Sequence, residues 1–122
     1  MNIAIIHAGD VGFVARLMNI FPSEEYDIEV FEPTQSNFGE ICQEISHFDP
    51  DVVILYHEFD GFTGYRLVSK DSLSYRPGVC IGISSDSSQE DYCHFKIDPE
   101  SNLEDLNVRQ GILDAINCAA TA

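Results

Sequence analysis

The sequence predicts a single α/β domain built on a parallel sheet with helices on both faces. Three observations carry that expectation. Short apolar runs alternate with stretches of helical periodicity along the whole chain. The most apolar run, PDVVILYHEF (50–59), is rich in β-branched residues and lies between a proline and a glycine-bearing turn, as a doubly covered central strand does. The length, 122 residues, suits one domain with one core and leaves little for a second.

The elements follow in order. NIAIIHA (2–8) is apolar at nearly every position, the pattern of a strand buried on both faces. In GDVGFVARLMNIFP (9–22), Val11, Val14, Leu17, Met18 and Phe21 recur at helical spacing until Pro22, and Asp10 stands at the cap position. YDIEVFEP (26–33) alternates apolar with acidic residues, as a half-exposed edge strand does. SNFGEICQEISHF (36–48) reads as a helix with Asn37 and Glu40 in a capping box and with Phe38, Ile41, Cys42, Ile45 and Phe48 in one stripe.

After the central strand and the turn DGFTG (60–64), YRLVSKDSLSYRPG (65–78) predicts a short or irregular helix, because its serines lower helical propensity. VCIGISS (79–85) and YCHFKID (92–98) are the fourth and fifth strands. Only eight residues separate Ser84 from Cys93, fewer than the dozen or so a packed crossover helix takes, so the fourth helix is expected to be short or missing and that sheet edge thinly covered. The final segment, PESNLEDLNVRQGILDAINCAA (99–120), is a helix with Ser101 as its expected cap and Glu104 three positions on.

Charge narrows the class of partner. Six Lys and Arg stand against twenty-one Asp and Glu, a formal net charge of −15, so a phosphate backbone or an anionic bilayer is repelled. Neither nucleic acid nor membrane is an expected partner. The first residues hold no basic region ahead of a long apolar run, which predicts no signal peptide or anchor and a cytoplasmic protein. Cys42, Cys80, Cys93 and Cys118 contain no C-x-x-C pair and read as reduced packing residues.

Five β-α units with a central strand DVVILYHEFDGFTG (51–64) resemble the receiver domain of two-component response regulators. Asp51 to Leu55 match that family's third strand, and Gly61 and Gly64 match the glycines of the loop after it. The resemblance implies a flavodoxin-like (CheY-like) doubly wound sheet of five parallel strands in the order 2-1-3-4-5. It also implies a phosphorylation pocket made of an acidic pair after the first strand, an aspartate ending the third, and a hydroxyl and a lysine from the fourth and fifth. Here His7 and Ala8 stand in place of the acidic pair, and Tyr56 stands in place of the phosphoacceptor. Ser84 and Lys96 match the hydroxyl and the lysine, although Ile97 and Asp98 precede Pro99 where the family has proline directly after the lysine.

Those replacements change the chemistry. Magnesium requires hard oxygen ligands in near-octahedral order, which an imidazole and a methyl group do not supply. A phenol has no acyl-phosphate chemistry. The expected pocket of His7, Ala8, Asp10, Tyr56, His57, Ser84 and Lys96 is therefore a degenerate one, with no catalytic residue, no metal and no cofactor. The expected function is that of a pseudo-receiver, a non-enzymatic signalling module that binds a protein partner or a second copy of itself. The exposed strand 4 to strand 5 connection, with Ser85, Asp86, Tyr92 and His94, is the expected contact surface. The alternative is a small metal-binding protein or enzyme using His7 and His57 with the carboxylates of Asp10, Glu58 and Asp60 near the switch point of the sheet. HAGDVG (7–12) lacks the fingerprint of a dinucleotide or nucleotide loop, and no G-x-S-x-G elbow accompanies Ser84 or Ser85.

Overall fold

The computed structural model describes residues 2–21, 24–56, 58–59, 62–63, 79–83, 95–97 and 103–120. In chain order these form β1 (Asn2–Ile6), α1 (Val11–Met18), β2 (Asp27–Phe31), α2 (Phe38–Phe48), β3 (Val52–Tyr56), β4 (Glu58–Phe59), β5 (Phe62–Thr63), β6 (Val79–Ile83), β7 (Phe95–Ile97) and α3 (Leu106–Ala120). Five strands make one parallel sheet in the order β2-β1-β3-β6-β7. The short strands β4 and β5 pair antiparallel as a separate hairpin.

The sheet is covered on both faces, which explains why its inner strands are apolar at every position. Side chains alternate between two cores. Ile3, Ile5, Val52, Ile54, Ile81 and Ile83 pack with Phe13, Val14 and Leu17 of α1 and Ile112 and Ile116 of α3. Ala4, Ile6, Val53 and Leu55 pack on the other side with Phe31 and with Cys42 and Ile45 of α2. Burying each larger aliphatic side chain contributes about 1.5–3 kcal/mol relative to exposure. Cys42 is buried in the core beneath α2. The base of the sheet is tied where the Asn2 amide donates to Asp51 Oδ2 at 2.9 Å and the Asn2 side chain donates to the Phe48 carbonyl at 3.1 Å.

Several sequence-based expectations are corrected. The central strand ends at Tyr56, not Phe59, because the following residues pair with one another across residues 60–61 and leave the parallel ladder. Helix α1 buries Phe13, Val14 and Leu17, while Val11 is 68% exposed and Met18 37%; the cap at Asp10 sets the phase and turns Val11 outward. Asn37 forms no capping box: its Oδ1 accepts the Thr34 amide, and its own amide donates to Thr34 Oγ1, so the side chain closes the preceding turn. The last helix starts at Leu106, and Asp105 serves its first turn by accepting the Asn107 amide at 2.8 Å while its carbonyl accepts from Arg109. Ser101, the helix expected over 65–78 and the thinned crossover before the fifth strand lie outside the described residues. Among the described residues, no helix is long and apolar enough to cross a membrane.

Candidate functional site

The carboxyl ends of β1 and β3, side by side in the sheet, carry the candidate site. Beyond Ile6 the chain continues the ladder for one step, with the His7 amide donating to the Phe31 carbonyl at 3.0 Å. The His7 ring is buried, 5% exposed, and its Nδ1 accepts the Gly9 amide at 3.0 Å. That bond folds the chain sharply, and Gly9 meets the demand with φ +100°, a conformation that L side chains rarely adopt. Its carbonyl then accepts from Val11 at 3.0 Å.

Asp10 follows as the N-cap of α1. Its Oδ1 accepts the Phe13 amide at 3.3 Å, and its negative charge sits at the positive end of the helix. The second carboxylate oxygen has a different partner. Tyr56, the last residue of β3, shares the strand parity of Val52 and Ile54, leans on the same core as they do, and donates its hydroxyl to Asp10 Oδ2 at 3.1 Å. Its ring meets Phe13 edge-on, with centroids 6.2 Å apart and planes at 87°. The Arg16 guanidinium lies 5.8 Å from the Phe13 centroid. Burial, then the hydrogen bond to Asp10 and that carboxylate's charge, push the Tyr56 phenol well above its usual ionisation range, against a small opposing effect of Arg16. The hydroxyl is thus held as a neutral donor.

Ala8 faces elsewhere. It is exposed and lines a cleft with Glu32, Pro33, Thr34, Gln35, Ser36 and Phe59, and Phe59 packs against the α2-side core. Of the expected pocket, then, the structure joins Asp10 to Tyr56, buries His7 beneath the turn and gives Ala8 to a separate cleft. Lys96 pairs through its backbone with Gly82, and its side chain lies outside the described residues. His57, Asp60, Ser84, Ser85, Asp86, Tyr92, His94 and the Glu58 side chain lie outside them as well. Among the described residues, no three His, Cys, Asp or Glu side chains group closely enough to share a metal ion.

Three participants escape sequence reasoning. Phe13 and Arg16 stand three apart on α1, a spacing that brings side chains together on a helix, but nothing in the linear pattern says that β3 delivers Tyr56 to that pair. Glu32 was equally silent. It ends an acidic-apolar strand, and only the fold sets it across from Gly9, whose position would place a Cβ 3.6 Å from Glu32 Oε1.

No protein-family model matches the chain, and no curated protein does either. Solved structures do. The N-terminal domain of the nisin resistance regulator NsrR, a lantibiotic response regulator, superposes with a TM-score of 0.65 at 20% identity, covering 95% of this chain and 98% of that one. The signal receiver domain of NarL from Mycobacterium tuberculosis superposes with a TM-score of 0.62 at 15% identity, covering 98% and 97%. The fold is that of a response-regulator receiver domain. Within this receiver fold the middle strand ends in Tyr56 bonded to Asp10, and the turn after β1 carries a buried histidine and an exposed alanine.

Proposed function

We propose that the chain is a pseudo-receiver: a signalling module that uses the receiver fold to contact a protein partner, or a second copy of itself, independently of phosphorylation. The observation that supports this most directly is the Tyr56 to Asp10 hydrogen bond. It keeps a neutral phenol at the end of the middle strand and occupies an oxygen of the Asp10 carboxylate beside it. A phosphoryl donor meeting the end of that strand encounters a neutral phenol, and the adjacent Asp10 carboxylate is already engaged as helix cap and as acceptor of that phenol. The thiol of Cys42 is buried in the core, which suits a reducing compartment, and we place the module in the cytoplasm. Its expected contact surface is the connection between β6 and β7, with Ser85, Asp86, Tyr92 and His94.

The test is incubation with magnesium and acetyl phosphate followed by intact mass measurement and peptide mapping. The expected product is unmodified protein. A stable phosphoryl adduct on any aspartate overturns the phosphorylation-independent reading.

A further inference from the structure

The sheet has an open edge whose chemistry the proposed function leaves unused. Strand β2 pairs with β1 on one side, and among the described residues nothing pairs with the other. Phe31 turns its backbone polar groups toward β1, since its carbonyl accepts from His7. Alternation sends those of Asp27 and Glu29 the same way and points the N–H and C=O of Ile28 and Val30 outward. Val30 is also 38% exposed. Beside this edge runs a groove lined by Glu29 and, from α2, Glu40, Gln43, Glu44, His47 and Phe48.

The charge of this edge is one-sided. From Leu17 to Tyr65 the chain holds eleven Asp and Glu and not a single Lys or Arg. A second copy aligned edge to edge would set Asp27, Glu29 and Glu32 against the same residues, which repel. A basic segment meets the opposite sign. We propose that the β2 edge and the α2 groove dock an extended, Lys- or Arg-bearing segment of a partner protein. The segment adds as a strand against Ile28 and Val30, places its basic side chains toward Glu29, Glu40 and Glu44, and turns the alternate, apolar ones to the other face of the sheet beside the exposed Val30. Backbone pairing supplies the direction and the acidic groove supplies selectivity. The proposal is independent of the pocket: an aspartyl adduct at the other site would overturn the function above and leave this edge as it is.

The probe is a short peptide alternating Lys and Val, with a counterpart in which Glu replaces Lys. Titrated into the isotopically labelled protein at low salt, the basic peptide is expected to shift the amide resonances of Ile28, Val30 and the α2 residues that line the groove. The acidic peptide is expected to shift none of them. Reversing two exposed charges, Glu29→Lys with Glu44→Lys, should weaken binding by about ten-fold or more without loss of fold. Val30→Pro removes the outward donor but no bond to β1, and should weaken binding while the charges remain. Shifts confined to other surfaces, equal binding of both peptides, Val30→Pro binding like the parent, or a dimer closed through β2 would each overturn the proposal.

Discussion

The Tyr56 hydroxyl donates to Asp10 Oδ2 across 3.1 Å, joining the end of the central strand to the cap of the first helix. One carboxylate thereby serves two elements. Its Oδ1 holds the first turn of α1, and its Oδ2 holds the tyrosine that ends β3.

Removing either partner should cost stability unequally. Tyr56→Phe deletes one largely exposed hydrogen bond and keeps the ring against Phe13, an expected loss of about 0.5–1.5 kcal/mol. Asp10→Ala deletes that bond and the helix cap, an expected loss of about 1–2 kcal/mol. Urea unfolding of the two single variants and the double variant closes the cycle. A double variant no less stable than Asp10→Ala alone shows that Tyr56 acts through Asp10, whereas strict additivity denies the coupling.

The same bond predicts a pH dependence. An unperturbed phenol ionises near pH ~10, and folding raises Tyr56 above that. The folded state therefore favours the protonated phenol. This contribution is complete below pH ~10 and is lost as pH rises from there through the folded-state value. Tyrosinate absorbance should show one of the five tyrosines titrating late in the folded protein, and the late step should vanish in Tyr56→Phe. Identical titration curves for the two proteins, apart from amplitude, would refute the assignment.

Two backbone positions should respond in opposite directions. Gly9→Ala puts a Cβ at φ +100°, where the nearest atom, Glu32 Oε1, is at an ordinary contact distance, so the penalty is conformational and about 1–3 kcal/mol. Asp49, the C-cap of α2, is a non-glycine residue in the left-handed region at φ 55°. Asp49→Gly relieves that strain and should stabilise by up to about 1 kcal/mol. Thermal unfolding of both variants reads the signs directly.

The central strand should be sensitive on both faces. Ile54 belongs to the core under α1 and α3, Leu55 to the core under α2, and both are fully buried. Ile54→Ala and Leu55→Ala should each cost about 2–5 kcal/mol, and denaturant midpoints test it. A loss below about 1 kcal/mol at either position would mean that its face is not packed as described.

Local chemistry made much of this legible. The runs at 2–8 and 50–59 are apolar enough to require cover on both faces, and strands separated by helices leave the parallel sheet as the arrangement that provides it. The stripe Phe38, Ile41, Cys42, Ile45 and Phe48 faces the core as its spacing implies. Asp10 caps as its type and place imply. Asn37 was misread because one side chain can satisfy either of two nearby turns, and the choice depends on the approach of Thr34. The hairpin of β4 and β5 was missed because two-residue strands have too few positions to show alternation.

The sequence by itself determined the alternation of strands and helices and the central strand that carries Tyr56, because each depends on residues adjacent in the chain. Only the tertiary structure decided that Tyr56 turns onto α1 and bonds Asp10, that His7 lies buried under Gly9, and that Ala8 and Glu32 share a different cleft. Those pairings join atoms far apart in the chain, and their geometry follows from strand parity and helix phase, which are set by packing the whole core at once.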